Sequence, residues 1–416
     1  MIYALYRLVI RWLYRRYRSQ LTGDSRRICF LSRQADELSL DFKLLIEALQ
    51  PLLPDWQISY YCYHDSGSFS RRLKGTLAQL RLVASSRLCV VDGYCPAVSI
   101  PELNPQTAVV QIWHSLGAIK KFGWQSLDTP AGRSRQQAEG LCMHRNYSLI
   151  IASGEGPRRA YAEAFGYPLE KIEPLGLPRM DYLLSNFSDE QDAGTDTGIG
   201  TEANPNTITI LYAPTFRKGD SQTLINDYLA QLQAELPATS YQLITSKHQQ
   251  DSAGPVLSPR AIQNRELLCR ADYVVTDYSA LAFSAGLIGK KVLFFVPDID
   301  QYRRSPGLNI DLEQLFPTIC FRQAAALRAY IERDQAAAHP GTNPPAPAPA
   351  SAASASASQP ADSPYATSGF FAYCRNYLAD PPYGATKRIV SRLLQPGIIN
   401  MTTSAPDRPQ TTAEAD

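Results

Sequence analysis

Short apolar runs alternate with amphipathic stretches along most of the chain. Apolar runs of this length are typical of parallel strands buried on both faces, and the stretches between them have a helical period. In the first half, strands are predicted at residues 28–32, 57–63, 88–92, 109–113 and 148–153. In the second half, they are predicted at residues 207–212, 241–245, 273–276 and 291–296. The repeated strand–helix order predicts an α/β protein made of two doubly wound, Rossmann-like domains that face a cleft.

Changes in composition mark the boundaries of these domains. A polar segment separates a first domain, residues 26–190, from a second domain, residues 200–335. An insert at residues 336–366 is dominated by Ala, Pro and Ser and is predicted to be disordered. Further helices are predicted within residues 367–396, before a disordered tail at residues 397–416. Two Rossmann-like halves followed by late helices predict a GT-B-like fold.

Residues 1–25 are predicted to contain an amphipathic helix in front of the first domain. Apolar side chains at helical spacing form one face, and arginines form another. The apolar positions are Ile2, Leu5, Tyr6, Val9, Trp12 and Leu13, and the basic positions are Arg7, Arg11, Arg15 and Arg18. This combination suits a helix that lies in the headgroup layer at a membrane surface. The alternative is an ordinary surface helix docked on the first domain.

Composition and charge narrow the class of protein. With 416 residues, 44% of them hydrophobic, the chain can bury two sizeable cores. A net charge of +2 does not indicate a nucleic-acid-binding protein. The apolar runs are far shorter than the roughly 20 residues that span a bilayer, and the N-terminus lacks the pattern of a signal peptide. The eight cysteines form no CxxC pair and are expected to be reduced thiols of a cytoplasmic protein.

Two of the five histidines follow predicted strands in different domains. His114 follows the strand at residues 109–113, and His248 follows the strand at residues 241–245. The carboxyl ends of strands in open α/β sheets face the ligand crevice. One imidazole can therefore act as a general base and the other as a partner of a phosphate or leaving group. The alternative is two histidines whose hydrogen bonds are satisfied within their loops.

Other polar groups at strand ends are candidates for binding phosphate. Gly117, Lys120 and Lys121 form a basic loop that can admit an anion, with a solvated turn as the alternative. Arg217 can bind a diphosphate bidentately, and the amides that follow Asp277 open a helix that favours a phosphate. The sequence has no GxxxxGK[ST] loop, no GxGxxG motif and no cluster of metal ligands. It therefore implies no cofactor and leaves open a divalent cation beside a diphosphate.

These motifs, in this order, resemble those of the CDP-glycerol glycerophosphotransferases of teichoic acid synthesis, a family of priming and polymerising enzymes with ribitol relatives. The similar segments are QIWHSLG (111–117) with KKFG (120–123), GLPRMD (176–181), YAPTFR (212–217), KH (247–248) and TDYS (276–279). No single segment is specific, but the ordered set is.

The resemblance implies an enzyme that transfers a polyol phosphate from a CDP-polyol donor and releases CMP, with glycerol phosphate as the expected unit. The implied acceptor is a lipid-linked glycan or polyol phosphate, and the implied location is the cytoplasmic face of the cell membrane. His114 and His248 would be the catalytic pair. The implied donor-binding set is Thr215, Arg217, Lys247, Asp277, Tyr278 and Ser279, and the implied acceptor-side loop contains Ser115, Gly117, Lys120 and Lys121.

The chain also departs from the family pattern. Ser115 stands where the family has a glycine after Trp-His, Ala280 stands where it has a second serine, and Gln249 replaces a proline. These differences leave the identity of the donor and acceptor open. A GT-B glycosyltransferase with a nucleotide-sugar donor is the alternative function for the same architecture.

Overall fold

The computed structural model describes residues 2–19, 26–65, 68–192, 207–215, 221–245, 267–338 and 369–399. Within these residues the chain forms two parallel sheets flanked by helices, with one helix in front, as the sequence predicted. The insert and the tail that were predicted to be disordered lie almost entirely outside the described residues. Among the residues described, no helix is long and apolar enough to cross a membrane.

The first domain is built on a six-stranded parallel sheet with the order β2-β1-β3-β4-β5-β6. Its strands are β1 (Arg27–Ser32), β2 (Gln57–Cys62), β3 (Leu88–Val91), β4 (Ala108–Gln111), β5 (Leu149–Ile151) and β6 (Ile172–Glu173). Every residue of β3, β4 and β5 is buried, which explains why these strands are short, mostly apolar runs in the sequence. Because all pairings are parallel, the carboxyl ends of β1, β3 and β4 lie side by side at one edge.

Helices pack on both faces of this sheet. They are α1 (Ile2–Ser19), α2 (Leu40–Leu49), α3 (Phe69–Ser85), α4 (Pro96–Ser99), α5 (Arg135–Gly140), α6 (Arg158–Phe165) and α7 (Pro178–Asp192). Alternate residues of β1 belong to different apolar clusters: Phe30 packs in the cluster that contains residues of α2, and Leu31 in the one that contains residues of α1 and α3. Ile10 and Tyr14 fix α1 to this domain, since both side chains are almost completely buried.

The second domain has a five-stranded parallel sheet with the order β11-β10-β9-β7-β8. Its strands are β7 (Ile208–Ala213), β8 (Tyr241–Thr245), β9 (Tyr273–Thr276), β10 (Lys291–Phe295) and β11 (Cys320–Phe321). The helices around it are α8 (Ser221–Glu235), α9 (Leu281–Leu287), α10 (Ile299–Arg304), α11 (Leu312–Leu315) and α12 (Ala324–Ala338). One large apolar cluster contains buried residues from both sheets, so the two domains share a continuous core.

Helix α13 (Gly369–Tyr377) lies between the two domains. Its Cys374 is so close to Gly286 of α9 that a Cβ added to this glycine would lie 2.5 Å from the sulfur. At its other end, the Tyr377 hydroxyl accepts a hydrogen bond from the Ala118 N–H at 3.2 Å. The helix therefore bonds to the first domain while it packs on the second.

Helix α14 (Ala385–Leu393) returns the chain to the first domain. The Asp181 carboxylate of α7 accepts hydrogen bonds from the N–H groups of Ala385 at 3.0 Å and Thr386 at 2.8 Å. These amides belong to the first turn of α14, where backbone donors have no partner within the helix. A carboxylate at that end also interacts favourably with the helix dipole. The side chain of one helix thus caps the next.

The loop after β4 crosses to the second domain. The Ile119 carbonyl accepts the Asn309 N–H at 2.7 Å, and the Lys121 N–H donates to the Gly307 carbonyl at 2.9 Å. Between these two contacts lies a short antiparallel bridge. The segment that carries the candidate residues of the first domain is therefore bonded by its main chain to the second domain.

Substitution of Gly117 tests this crossing. A Cβ at Gly117 would lie 1.9 Å from the ring of Phe283, a fully buried residue of α9, so one of the two must move. We expect Gly117→Ala to lower the free energy of unfolding by about 2 kcal/mol, the usual cost of overpacking a core. Urea unfolding of the full chain measures it.

The matched variant is Phe283→Leu. Alone it should destabilise, because it leaves a cavity, but in the Gly117→Ala background it should restore part of the lost stability. Simple addition of the two losses would contradict the contact between Gly117 and Phe283.

Candidate active site

The turn after β4 directs His114 into the site. Trp113, one residue earlier, has a φ of 54°, a left-handed conformation that few residues with a side chain adopt. Its N–H donates to the Gln111 side chain at 2.8 Å, and its ring stacks on Phe122 at 4.8 Å between centroids. These contacts hold the strained turn, and strain of this kind is often found at functional sites.

One hydrogen bond fixes the tautomer of His114. Its Nδ1 lies 2.8 Å from the backbone carbonyl oxygen of Asp92, which follows β3. A carbonyl oxygen only accepts, so Nδ1 carries the proton and donates it. Nε2 is then left with a lone pair. Such a nitrogen can accept a proton from a substrate.

A buried ion pair holds the main chain at His114. The Arg179 side chain of α7 donates through Nε to the Asp41 carboxylate at 2.7 Å, and its Nη1 donates to the His114 carbonyl at 3.2 Å. The Arg179 N–H donates to the same carboxylate at 2.8 Å. Asp41 is fully buried at the start of α2, so the ends of α2, α7 and β4 are held together at one point.

The surroundings of His114 keep its ring neutral. Burial lowers the pKa of His114 to about 4, and the positive charges of Arg179 and Lys120 act in the same direction. The hydrogen bond to Asp92 opposes this shift. At neutral pH the imidazole is therefore in the form that a general base needs.

Asp92 is a second titratable group that the sequence interpretation missed. Burial raises the pKa of its carboxyl to about 7, with the Ser32 hydroxyl and Arg179 opposing the shift and Asp41 adding to it. Its Oδ1 has no hydrogen-bond partner among the described residues. The available signal was an acidic residue immediately after the apolar run of β3, the same kind of position that pointed to His114.

The second domain brings part of the predicted donor set together at the carboxyl edge of its sheet. The buried Asp277 follows β9, and its Oδ1 accepts the Thr215 N–H at 2.7 Å just beyond β7. The Ser279 Oγ accepts the Leu281 N–H at 3.3 Å, at the start of α9. Thr215, Asp277 and Ser279 are thus on adjacent strand ends.

Tyr278 has a different environment. Its side chain is 1% exposed, its hydroxyl donates to Asp298 at 3.1 Å, and its ring stacks on Tyr302 at 3.6 Å. These contacts with Asp298 and Tyr302 lie in the core of the second domain and support the turn after β9 from within the protein. Arg217, Lys247 and His248 lie outside the described residues, so their predicted roles stay predictions.

The predicted acceptor-side loop connects the two domains. The Ser115 hydroxyl donates to the Gly117 carbonyl at 2.5 Å, and the Ser115 carbonyl accepts from the Tyr161 hydroxyl at 2.9 Å. Ser115 is therefore bonded within the first domain, whereas the main chain at Lys120 and Lys121 bonds to the second. Over the described part of the chain, no group of three or more His, Cys, Asp or Glu side chains could hold a metal ion.

Comparison with known sequences gives a consistent set of relatives. The teichoic acid poly(ribitol-phosphate) polymerase of Bacillus spizizenii is 27% identical over 311 residues, which cover 70% of this chain and 48% of the polymerase. The teichoic acid ribitol-phosphate primase of the same organism is 26% identical over 337 residues, 75% of this chain and 83% of the primase. The glycerol-phosphate primase of Bacillus subtilis is 26% identical over 57% of this chain and 62% of that enzyme. The chain thus spans about half the length of the polymerase it matches.

The fold has a solved counterpart in the wall teichoic acid polymerase TagF. The TM-score is 0.55 at 18% identity, with 79% of this chain and 85% of the TagF chain covered. At this identity the similarity shows the fold alone. The sequence profile of one family, however, matches residues 13–340 of the 416. Because that match extends over most of its length, the chain belongs to the CDP-glycerol:poly(glycerophosphate) glycerophosphotransferase family.

Proposed function

We propose that this protein transfers a polyol phosphate, glycerol phosphate in the first instance, from a CDP-polyol to a hydroxyl of a membrane-linked acceptor and releases CMP. The observation that carries the proposal is the geometry of His114. Its imidazole is neutral, its Nδ1 donates a proton to the Asp92 carbonyl, and its Nε2 keeps a lone pair that can accept a proton. Membership of the glycerophosphotransferase family supports this reaction class.

The reaction needs a base, a positioned donor and a stabilised leaving group. The Nε2 of His114 takes the proton of the acceptor hydroxyl, whose oxygen attacks the phosphorus that carries the polyol. The bond from that phosphorus to the oxygen of CMP breaks, and the polyol keeps its own carbon–oxygen bond. Arg217, His248 and the amides that follow Asp277 are the groups we assign to the charge on the donor diphosphate.

A donor panel tests the proposal directly. Purified protein is incubated with CDP-glycerol, CDP-ribitol or nucleotide sugars and a prenyl-diphosphate glycan, and CMP release and product mass are measured. An added mass of glycerol phosphate or ribitol phosphate supports the proposal and identifies the polyol. An added hexose would instead identify the glycosyltransferase alternative, and no turnover with any donor would reject both.

We further propose that α1 lies on the cytoplasmic surface of the cell membrane. The helix is docked by Ile10 and Tyr14, so Tyr6 and Leu13 of the predicted apolar face are partly buried. The rest of that face points outward, with exposed fractions of 78% for Ile2, 63% for Leu5, 42% for Val9 and 61% for Trp12, and Leu8 beside it is 64% exposed. No acidic residue lies in α1, and Arg7, Arg16 and Arg18 have no carboxylate partner among the described residues. An exposed apolar face beside arginines matches an anionic lipid surface.

Replacement of His114 tests its role as the base. We expect His114→Gln to lower the rate of CMP release about a thousand-fold, the usual scale for loss of a general base. The melting temperature should change by less than about 3 °C. Asp55→Asn is the control, since Asp55 is 79% exposed and precedes β2 at the opposite edge of the sheet, so its variant should keep full activity. Unchanged turnover in His114→Gln would contradict the assignment.

The raised pKa of Asp92 predicts a pH-dependent contribution to stability. The folded protein keeps the Asp92 proton up to about pH 7, whereas an unfolded chain releases it near pH 3.8. The folded state binds more protons between these values, so its free energy of unfolding falls as the pH rises through this interval. We expect Asp92→Asn to gain roughly 2 kcal/mol on the wild type between pH 4 and pH 7, measured by urea unfolding. Parallel curves for the two proteins would show that Asp92 ionises normally.

Two substitutions on the outer face of α1 test the membrane contact. The Leu5→Ser, Trp12→Ser double variant should lose at least about tenfold in affinity for vesicles that contain anionic phospholipid, measured by co-sedimentation. Ile10 and Tyr14 are kept, so the helix should remain docked. Leu52→Ser, at a leucine that is 53% exposed outside α1, is the matched control and should bind like the wild type. Equal binding by all three proteins would rule out this face.

A further inference from the structure

Tyr94 lies between two arginines at the carboxyl edge of the first sheet. It follows β3 by three residues, and the Arg33 that follows β1 has its guanidinium carbon 5.7 Å from the centre of the Tyr94 ring. The guanidinium carbon of Arg133, from the loop before α5, is 5.3 Å from the same ring. We call these three residues the Tyr94 cluster.

The two arginines of the Tyr94 cluster differ in how their charges are compensated. Arg33 is tightly held: its Nη2 lies 2.5 Å from an Asp65 carboxylate oxygen, and its Nε donates to the Tyr63 hydroxyl at 2.9 Å. Its side chain is only 11% exposed. Among the described residues, Arg133 has no carboxylate within ion-pair distance and its side chain forms no hydrogen bond, whereas its guanidinium lies over the Tyr94 ring. Arg33 is therefore neutralised by its surroundings, and Arg133 is not.

The charge of Arg133 acts on His144, a buried side chain next to Tyr94. His144 is buried beside Tyr94, with ring centres 5.8 Å apart. Burial lowers the pKa of His144 to about 3, and Arg133 acts in the same direction. A half-buried cation without a counter-ion is unfavourable unless an anion joins it.

Ring contacts connect this cation to the catalytic candidate. The His144 ring lies 6.3 Å from Trp113, and Trp113 lies 4.2 Å from His114. The Tyr94 cluster is thus separated from His114 by two aromatic side chains. It belongs to the same edge of the sheet and not to a remote surface.

Hydrogen bonds and apolar packing connect the Tyr94 cluster to α1 on its other side. The Tyr63 hydroxyl, which accepts from Arg33, lies 3.4 Å from the Thr76 hydroxyl. Thr76 lies on α3, and Tyr6 of α1 packs against the apolar cluster that contains residues of α3. The Tyr94 cluster is therefore linked through Arg33 and α3 to the helix assigned to the membrane surface, and through His144 and Trp113 to the histidine assigned to the chemistry.

We propose that Arg133 binds a phosphate or diphosphate group of the membrane-linked acceptor and so positions the acceptor hydroxyl toward His114. Its guanidinium can donate two parallel hydrogen bonds to phosphate oxygens while its face remains on the Tyr94 ring. This inference rests on the proposed function and deepens it, because it requires an acceptor that is linked to its membrane lipid through a phosphate or diphosphate. It also gives Arg33 a supporting part, since Arg33 donates to the Tyr94 carbonyl at 3.0 Å and holds the ring in place.

The test separates acceptor binding from donor binding. Steady-state kinetics are measured for the wild type and Arg133→Gln with two acceptors: a short-prenyl diphosphate disaccharide, and the same disaccharide as a phosphate-free alkyl glycoside. We expect Arg133→Gln to raise KM for the diphosphate acceptor at least about tenfold, with kcat within about twofold. KM for the donor and the kinetics of the alkyl glycoside should not change. Arg133→Lys should fall between the two, because it keeps the charge and loses the paired donors.

Arg135→Gln is the matched control. It removes the same charge two residues further along the chain, at the start of α5, but Arg135 is 63% exposed and already lies near Asp128 and Glu139. An equal rise in KM in Arg135→Gln would overturn the proposal, because it would mean that general charge matters and not this residue. A change in donor KM alone would also overturn it and would assign Arg133 to the donor.

Calorimetric titration with the prenyl diphosphate, in the absence of donor, measures binding at the Arg133 site without the transfer reaction. If the wild type binds this compound at least about tenfold more tightly than Arg133→Gln, the site stands even when no donor turns over. If turnover is normal and both proteins bind the compound equally, the proposed function stands and the Arg133 site is wrong.

Discussion

The ion pair between Asp41 and Arg179 is the constraint on which the candidate active site depends. Such a pair adds little net stability, but Asp41 is almost completely buried, so removal of Arg179 would leave an unpaired buried charge, which typically costs about 3–5 kcal/mol. Its main effect here is geometric. Arg179 also holds the carbonyl of His114, so the position of the imidazole follows from a contact between α2 and α7. Packing in two helices thereby fixes a group at the end of a strand.

The charges around the site serve two purposes at once. Arg179 and Lys120 are near enough to lower the pKa of His114, and cations at this edge also favour a phosphate-bearing ligand. If only carboxylates surrounded the imidazole, their negative charge would raise its pKa and favour the protonated form, which cannot act as a base. The positive charges around His114 instead favour the neutral imidazole, which is the form that can accept a proton. The same cations would then offset the charge that phosphates bring in.

Much of the architecture could be predicted from the sequence, because buried parallel strands such as β3 and β9 are short apolar runs with clear ends. Strands β6 and β11 have only two residues each and leave no periodic signal. The place of His114 was predictable for the same reason as its strand. The raised pKa of Asp92 was not, because it depends on burial in the folded protein and, to a smaller extent, on Asp41, which is distant in sequence. The inward direction of Tyr278 likewise depends on Tyr302, a partner that no local pattern reveals.

Two attachments between the domains limit how one domain can move relative to the other. The loop after β4 bonds to the segment around Asn309, and α13, which packs on Gly286 of α9, accepts the Gly156 N–H of the first domain at its Tyr377 carbonyl at 2.9 Å. These two attachments lie at different elements. Sliding of one domain past the other would break main-chain hydrogen bonds at both of them, whereas rotation about the line that joins them strains each bond least. These two attachments therefore oppose a shift in register between the domains more than a change in the angle between them.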